Sequence, residues 1–400
     1  MAKGLHCLAI ALATLALTTT GHAQETFKIG VLTDFSGNFS APTGQGSLLA
    51  ARMAVEDFGK PIGGKKIEVV SADHQNKPDT GAQIANRWVD VEHVNAIIDL
   101  ANSSVAMAVN SVTRRANKAL LVSGGATTAL TGEQCAPTTV HWTFDNYAIA
   151  HAVGLSAVRS IGKRWFFVTA DFAFGKDLEQ NVAGVVKANG GQVLGSVRHP
   201  LGSNDFSSFI LQAQSSGAKV VGLANAGLDT INSIKQSSEF GVTQGGKQRL
   251  AALLFTLAEV HGLGLKAAQG TVLTEGWYWD QNDENRAFGK RFMAKMGRMP
   301  NMVQAGTYSA VTSYLKAVKA AGTTETEAVA KKMHETPVND VFAKNGKVLA
   351  NGSMVHDMYL FQVKTPEESK GPWDYYKQLS KIPGAQAFET VEESGCKVSG

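Results

Sequence analysis

Two successive series of short apolar runs that alternate with helical segments constrain the fold more than any other sequence feature. In the first series, β-rich runs lie at 28–32, 66–70, 96–100 and 119–122, and segments with helical spacing of apolar residues lie at 44–58, 79–91 and 103–116. In the second, the runs lie at 165–168, 192–197, 220–223, 250–255 and 270–274, and the helical segments at 176–188, 206–215 and 230–240. This alternation predicts an α/β protein with two doubly wound parallel sheets.

Beyond Trp279 the pattern changes to two helical segments, 285–296 and 303–320, followed by two strand-like runs, 347–349 and 358–363. These two runs flank Asn351-Gly352, a dipeptide typical of tight turns, so we predict that they form a hairpin. No low-complexity or Ser/Pro-rich linker separates the two series. Its absence favours a chain that passes between two lobes more than once.

The N-terminus has the features of an export signal. Lys3 provides a basic start, residues 8–17 form an apolar run, and Gly21-His22-Ala23 is a small-residue cleavage site. An apolar run of this length is too short to span about 30 Å of hydrocarbon. We therefore expect residues 1–23 to be removed near Ala23 and the mature protein to be soluble in the periplasm. Cys7 precedes the apolar run, which argues against lipid attachment there.

Size, charge and cysteine content limit the class of protein further. After removal of 23 residues the chain keeps about 377, more than a single core supports, so two domains are expected. The formal net charge of +4 is small and no basic run occurs, so nucleic acid is not an expected partner; we expect a monomer. Cys135 and Cys396 remain in the mature chain. In an oxidising compartment they can pair, the alternative being two unpaired thiols.

The sequence lacks the common short motifs of enzymes. It contains no phosphate-binding loop, no His-Glu-x-x-His, no Gly-x-Ser-x-Gly and no Cys-x-x-Cys. Gly44-Gln45-Gly46 opens a helical segment but is not followed by the third glycine of a dinucleotide site. The histidines occur singly, without the spacing of metal ligands. We therefore expect neither enzymatic activity nor a bound metal or cofactor.

Small polar residues follow two predicted strands of the first series, at the edge where open α/β sheets bind ligands. Asn102-Ser103-Ser104 begins a helix, and its free N–H groups and serine hydroxyls can hold a carboxylate, although a plain helix cap is the alternative. Gly124-Gly125-Ala126-Thr127-Thr128 allows the backbone to approach a ligand, with the Thr127 hydroxyl as a donor. A simple turn between strand and loop is the competing interpretation.

The chain resembles the periplasmic solute-binding proteins of ABC transporters for branched-chain amino acids, amides and related acids, which have a type I binding-protein fold. The resemblance extends from about residue 27 to residue 363. It is carried by the order and spacing of five segments, at 29–37 (IGVLTDFSG), 102–104 (NSS), 126–132 (ATTALTG), 171–175 (DFAFG) and 273–279 (LTEGWYW).

This resemblance implies two lobes joined by three crossovers, near Asp145, Gly276 and Asp340. Lobe 1 would comprise residues 24–145 and 277–339, and lobe 2 residues 146–276 and 340–400. The lobes would close on a small carboxylate and deliver it to the membrane permease of an ABC transporter. A ligand sensor that acts on a receptor is the alternative within this fold, and an exported α/β hydrolase is the alternative from another class.

The resemblance also implies particular ligand contacts. Ser103, Ser104 and Thr127 would hold the ligand carboxylate on the first lobe. Phe174, where relatives often have tyrosine, would close over the ligand from the second lobe. The other expected contacts are Asn102, Gly125, Ala126, Phe172, Asn225, Phe255, Trp277 and Tyr278.

One departure from the family pattern bears on the ligand. Relatives that bind leucine, isoleucine or valine hold the substrate ammonium with a glutamate after the strand predicted here at 250–255, whereas this chain reads Phe255-Thr256-Leu257. A buried ammonium without a carboxylate partner costs free energy. We therefore expect an aromatic or other organic acid that stacks on aromatic side chains, the alternative being a branched-chain amino acid or an amide.

Overall fold

A computed structural model describes residues 25–160 and 162–397 of the chain. The predicted export signal and the cleavage site near Ala23 lie outside the described residues. Within those two ranges, no helix is both long enough and apolar enough to cross a membrane.

The first sheet has five parallel strands in the order β2-β1-β3-β4-β5. These strands are β1 (Phe27–Thr33), β2 (Ile67–Asp73), β3 (Ala96–Asp99), β4 (Ala119–Val122) and β5 (Thr139–His141), connected by α1 (Gly44–Phe58), α2 (Pro78–Asp90) and α3 (Ser103–Arg115). Successive residues of β3 face opposite sides, so Ile98 packs with α1 while Ile97 packs with α2 and α3. Helices therefore cover both faces, as the run of apolar residues predicts.

The second sheet has seven strands in the order β14-β13-β10-β9-β8-β6-β7. Its parallel strands are β6 (Arg164–Ala170), β7 (Gln192–His199), β8 (Val220–Ala224), β9 (Arg249–Ala252) and β10 (Val272–Glu275). The helices along this part of the chain are α4 (Asn146–Ser160), α5 (Ala173–Ala188), α6 (Ser207–Ser215), α7 (Leu228–Glu239), α8 (Leu257–Leu263) and α9 (Leu265–Ala268).

After β10 the chain returns to the first sheet through α10 (Asp283–Met296), α11 (Met302–Ala321) and α12 (Thr326–Glu335). The Arg291 guanidinium lies 2.6 Å from the Asp57 carboxylate of α1, and the Tyr308 hydroxyl donates to the same carboxylate at 2.7 Å. Helices that are distant in sequence thereby share one layer of the first lobe. The limits of the lobes, residue by residue, stay a prediction.

The predicted hairpin around Asn351-Gly352 exists, but its second strand is not the run at 358–363. β11 (Lys347–Val348) pairs instead with the short β12 (Met354–Val355). Ser353 of this hairpin bridges to His141 of β5, so the chain still lies against the first sheet well past the crossover expected at Asp340.

The run at 358–363 extends the second sheet. β13 (Met358–Val363) pairs antiparallel with β10 and with β14 (Tyr376–Ile382), and the chain ends with α13 (Gly384–Ala387) and α14 (Val391–Ser394). The prediction that β11 and β13 pair is wrong because the edge of β10 provides a longer partner. The second sheet is therefore parallel in its centre and antiparallel along one edge.

A disulfide bond joins Cys135, in the loop after β4, to Cys396, which follows α14; their Cα atoms are 5.8 Å apart. The two cysteines are separated by 261 positions in the sequence. The bond therefore ties the C-terminal tail to the first lobe, in the loop that also carries residues 124–128.

We expect purified protein without residues 1–23 to show no free thiol when it is unfolded without reductant. Reduction should lower the free energy of unfolding by about 2–4 kcal/mol, because a long closed loop restricts the unfolded chain. Thiol titration and urea unfolding measure the two effects, with the Cys135→Ser/Cys396→Ser double variant as the control that should not respond to reductant. Two titratable thiols per chain would contradict the pairing.

Candidate ligand-binding site

A cavity with about 440 Å³ of empty space, counted to its mouth, lies between the carboxyl ends of the two sheets. Both lobes contribute to its walls. From the first lobe it is lined by residues that include Phe39, Ser103, Ala126 and Phe144, and from the second by Phe172, Phe174, Gly227 and Glu259.

An unusual backbone turn leads into the first wall. Asp99 and Leu100, at the end of β3, have φ angles of +85° and +59°, in the left-handed region that residues other than glycine rarely adopt. Such a conformation costs about 1–3 kcal/mol per residue and is found most often near functional sites. Here the turn directs Ala101 and Ser103 into the cavity at the start of α3.

Ser103 and Ala126 form a polar contact at this wall. The Ala126 N–H donates to the Ser103 Oγ at 3.2 Å, which leaves the serine hydroxyl proton free to donate to a ligand. As the first residue of α3, Ser103 also has a backbone N–H without an acceptor inside the helix. Together these groups can bind an anion at a helix N-terminus.

Phenylalanines make the second wall largely apolar. The rings of Phe172 and Phe174, at the start of α5, are 5.8 Å apart, and Phe39 of the first lobe lies 6.4 Å from Phe172 across the cleft. Phe144 completes the aromatic lining from the first lobe. A flat apolar ligand could therefore contact aromatic rings from both lobes.

Glu259 places a carboxyl group in this mainly apolar cavity. Its Oε1 accepts from the Gly227 N–H at 2.6 Å, and its Oε2 accepts from the Thr256 N–H at 2.7 Å as part of the cap of α8. Burial raises the pKa of Glu259 to about 7, despite the hydrogen bonds that favour its anion. The sequence-based inference that the second lobe lacks a carboxylate here is therefore wrong, because Glu259 reaches the cavity from the first turn of α8.

Direct contacts hold the two lobes together around the cavity. Asn38 of the first lobe donates from Nδ2 to the Ala226 carbonyl at 3.1 Å and accepts from the Leu228 N–H at 3.2 Å. Gly227, between these two partners, has φ +66°, and a Cβ atom there would lie 2.2 Å from the Asn38 carbonyl oxygen. Only glycine therefore allows this approach, and the structure represents the closed arrangement of the lobes.

Of the twelve predicted ligand contacts, the structure brings four to the cavity: Ser103, Ala126, Phe172 and Phe174. Asn102 caps α3, since its Oδ1 accepts from the N–H groups of Ser104 and Val105. The carbonyl of Gly125 contacts the His141 ring at 2.6 Å, and the Thr127 Oγ1 accepts from the Ala129 N–H. Asn102, Ser104, Gly125 and Thr127 thus bond within the first lobe and do not line the cavity.

The remaining four predicted contacts lie inside the second lobe. Asn225 is fully buried and bonds to Ser233 and Thr230, and Phe255 packs in the apolar core. The Trp277 Nε1 donates to the Val341 carbonyl at 2.9 Å, and the Tyr278 hydroxyl donates to the Trp373 carbonyl at 2.9 Å. The polar groups of both aromatic residues are thus used within the protein.

The predicted contacts omit most residues that line the cavity, among them Phe39, Phe144 and Glu259. The two phenylalanines lie in loops, where no periodicity marks them. Glu259 had a signal in the sequence, because Thr256 followed three residues later by glutamate is the pattern of a capping box. Among the described residues, no group of three His, Cys, Asp or Glu side chains is arranged to hold a metal ion.

We expect the Glu259→Gln variant to lose part of the pH dependence of stability. The Glu259 pKa is raised from 4.5 to about 7 on folding, so the folded protein holds this proton more tightly and its stability falls as the pH rises through that window. At about 1.4 kcal/mol per pKa unit, this group contributes roughly 3 kcal/mol of that decline.

Urea unfolding between pH 4.5 and pH 8 measures this difference. Asp145 and Glu275, with pKa values raised to about 7 and about 8 by burial, act in the same direction, so the variant should keep a shallower slope rather than none. Glu239→Gln, which changes an exposed carboxylate of α7, is the matched control. Identical slopes for Glu259→Gln and wild type would refute the buried titration of Glu259.

Comparisons with known proteins agree with this architecture. A profile of the family described as periplasmic binding protein matches residues 26–372. A periplasmic binding protein from Burkholderia mallei is 50% identical, with a TM-score of 0.90 over 93% of this chain and 98% of that one. A branched chain amino acid ABC transporter periplasmic ligand-binding protein from Burkholderia xenovorans LB400 is 36% identical, with a TM-score of 0.84 over 93% and 99%.

A more distant structure shares the fold alone. It is a solute binding protein of an ABC transporter from R. palustris in complex with benzoate, 21% identical, with a TM-score of 0.82 over 94% of this chain and 100% of that one. The family and the fold are those of solute-binding proteins, which are not enzymes. This chain belongs to the periplasmic binding protein family and has its type I fold.

Proposed function

We propose that this protein captures a small carboxylate with an apolar, preferably aromatic, body in the periplasm and delivers it to the permease of an ABC transporter. One observation carries the proposal: the cavity is closed between two lobes, with the first residue of α3 on one wall and phenylalanines around it. A site that both lobes complete releases its ligand only when they separate, which suits capture and delivery.

The carboxylate would bind at Ser103. The hydroxyl and backbone N–H of this residue, together with the dipole of the 13-residue α3, favour a negative charge there. Charge-assisted hydrogen bonds of this kind are roughly twice as strong as neutral ones. An acid should therefore bind more tightly than its amide.

The apolar body of the ligand would lie against the cavity side of Phe39, Phe172 and Phe174. Stacking on aromatic rings contributes about 0.5–1.5 kcal/mol per pair beyond the burial of area. The benzoate-bound protein from R. palustris indicates that this fold can enclose an aromatic acid, although at 21% identity it assigns no residue here. An aromatic acid is consequently the first ligand class to test.

A branched-chain amino acid is the second candidate, and Glu259 is the observation that favours it. Its buried carboxyl lines the same cavity as Ser103, so an ammonium group of the ligand would have an anionic partner. The protein from Burkholderia xenovorans, which is 36% identical, is described as a branched chain amino acid ABC transporter periplasmic ligand-binding protein. A receptor-coupled sensor remains the alternative to delivery, since the same closed cavity suits both roles.

We expect benzoate or 4-hydroxybenzoate to bind at least tenfold more tightly than benzamide and than L-leucine, a difference of about 1.4 kcal/mol. Phe174→Ala should weaken binding of the aromatic acid by about 1–3 kcal/mol, because it removes a ring that lines the cavity. Isothermal titration calorimetry measures both effects. Phe240→Ala, an exposed phenylalanine after α7, is the control and should bind like wild type. Tight binding of L-leucine combined with unchanged affinity in Phe174→Ala would exclude the aromatic-acid assignment.

Proton exchange on binding separates the two ligand classes independently of affinity. With its pKa near 7, Glu259 is about half protonated at pH 7. An acid without an ammonium adds negative charge and raises the pKa of Glu259, so we expect the protein to take up a proton on binding. An amino acid places its ammonium near the Glu259 carboxylate and lowers this pKa, so the protein should release a proton. Calorimetry in buffers with different ionisation enthalpies gives the sign.

Glu259→Gln should remove most of this proton exchange with either ligand, the remainder coming from neighbouring buried carboxyls such as Glu275. Proton release with benzoate, or exchange in the variant equal to that of wild type, would show that Glu259 does not respond to the ligand.

A further inference from the structure

We infer that Asp177 is a positioning residue that locks the closed state and thereby sets how slowly the ligand leaves. This inference rests on the proposed function, because it concerns closure over the same cavity. Asp177 lies on α5 of the second lobe, one turn beyond Phe174, and does not line the cavity itself.

The Asp177 carboxylate binds both a residue of the first lobe and a residue of its own lobe. Its Oδ2 accepts from the Thr128 N–H at 2.9 Å, and its Oδ1 accepts from the Thr128 hydroxyl at 2.9 Å. Asn181, one turn further along α5, donates to Oδ1 at 2.8 Å. Within the described part of the chain, no lysine or arginine forms an ion pair with this carboxylate, so neutral donors alone surround it.

Asn146 connects the Asp177–Thr128 contact to both walls of the cavity. Its side-chain Nδ2 donates to the Asp177 Oδ2 at 2.9 Å and to the Phe174 carbonyl at 3.2 Å. Its backbone N–H donates to the Ala126 carbonyl at 2.7 Å. The spacing between Ala126 on one wall and Phe174 on the other is therefore fixed through a single buried asparagine and the carboxylate that it contacts.

The two Thr128 bonds join the lobes, so we expect opening to break them, whereas the Asn181 bond lies within α5 and should survive. Hydrogen bonds to a charged acceptor are about twice as strong as neutral ones, so the carboxylate favours the closed state. An asparagine at position 177 keeps the shape but turns one acceptor into a donor that faces the donors of Thr128 or Asn146. Closure would weaken while the ligand contacts stay in place.

The test uses Asp177→Asn, with Glu239→Gln as a control that removes an exposed carboxylate from the same lobe. In stopped-flow experiments with 4-hydroxybenzoate and with L-leucine, we expect Asp177→Asn to speed dissociation at least tenfold and to change association by less than about twofold. Thr128→Val, which loses only the hydroxyl, should show a smaller acceleration, and Thr128→Ser should behave like wild type. The double variant Asp177→Asn/Thr128→Val should be little worse than Asp177→Asn alone.

A second measurement needs no ligand. In the ligand-free protein, hydrogen exchange of the Thr128 amide should be at least tenfold faster in Asp177→Asn, and the radius of gyration from X-ray scattering should increase. Should Asp177→Asn prove unstable by circular dichroism, Thr128→Val and Thr128→Ser carry the comparison.

The outcomes separate this inference from the proposed function. Wild-type protein that binds neither probe would argue against the proposed ligand classes, and exchange and scattering would then decide the role of Asp177. Equal dissociation rates and equal Thr128 exchange in Asp177→Asn and Glu239→Gln would overturn the inference while leaving ligand capture intact. A loss confined to the association rate would also overturn it, since that pattern indicates a damaged open site.

Discussion

Parallel strand direction is the constraint on which the rest of this structure depends. Because parallel strands are joined by crossover helices, all of their carboxyl ends emerge at one edge of each sheet, together with the starts of the helices that follow. In this chain the two edges face each other, so α3 and α5 begin on opposite sides of one cavity. The polar group at Ser103 and the rings of Phe172 and Phe174 are brought together by topology, although more than 60 positions separate them in the sequence.

The mainly apolar cavity tolerates the carboxyl group of Glu259 because burial raises its pKa to about 7, so that the group can take up a proton near neutral pH. Both Glu259 and Glu275 lie at the start of α8: Glu259 caps it, and Glu275 accepts from the Leu257 N–H at 3.0 Å and from the Tyr376 hydroxyl at 2.8 Å. Burial raises both pKa values, and the proximity of the two carboxyls raises that of Glu275 further. Two adjacent buried anions would be unstable, so protonation of one makes the other easier to ionise. The cavity can therefore present either a hydrogen-bond donor or an anion at Glu259.

The sequence predicts regular elements better than it predicts the site. The bounds of α1 agree with the predicted segment 44–58, because its apolar periodicity is uninterrupted. The strand β14 was not predicted, because it lies at the edge of the sheet and most of its residues, including two lysines, are exposed. Ser103 was expected near the ligand because small polar residues follow a strand there, and Phe174 because the segment 171–175 resembles the family; both line the cavity. Trp277 and Tyr278 could not be assigned correctly to core or cavity, since the partners that use their polar groups, Val341 and Trp373, come from distant parts of the chain.

Closure of the lobes is an equilibrium that the ligand shifts further toward the closed state. The cross-cleft hydrogen bonds of Asn38 replace bonds to water, and a net value of about 0.5–1.5 kcal/mol each is modest against the entropy of ordering the loops. Closing without a ligand gains less, because the rings of Phe39, Phe172 and Phe174 then pack only on one another. A ligand adds further contacts with these rings and burial worth about 25 cal/mol for each Å² of apolar surface. Because Gly227 has no side chain, the lobes can meet at Asn38 without a steric clash. Ligand contacts that form only in the closed arrangement therefore depend on this glycine.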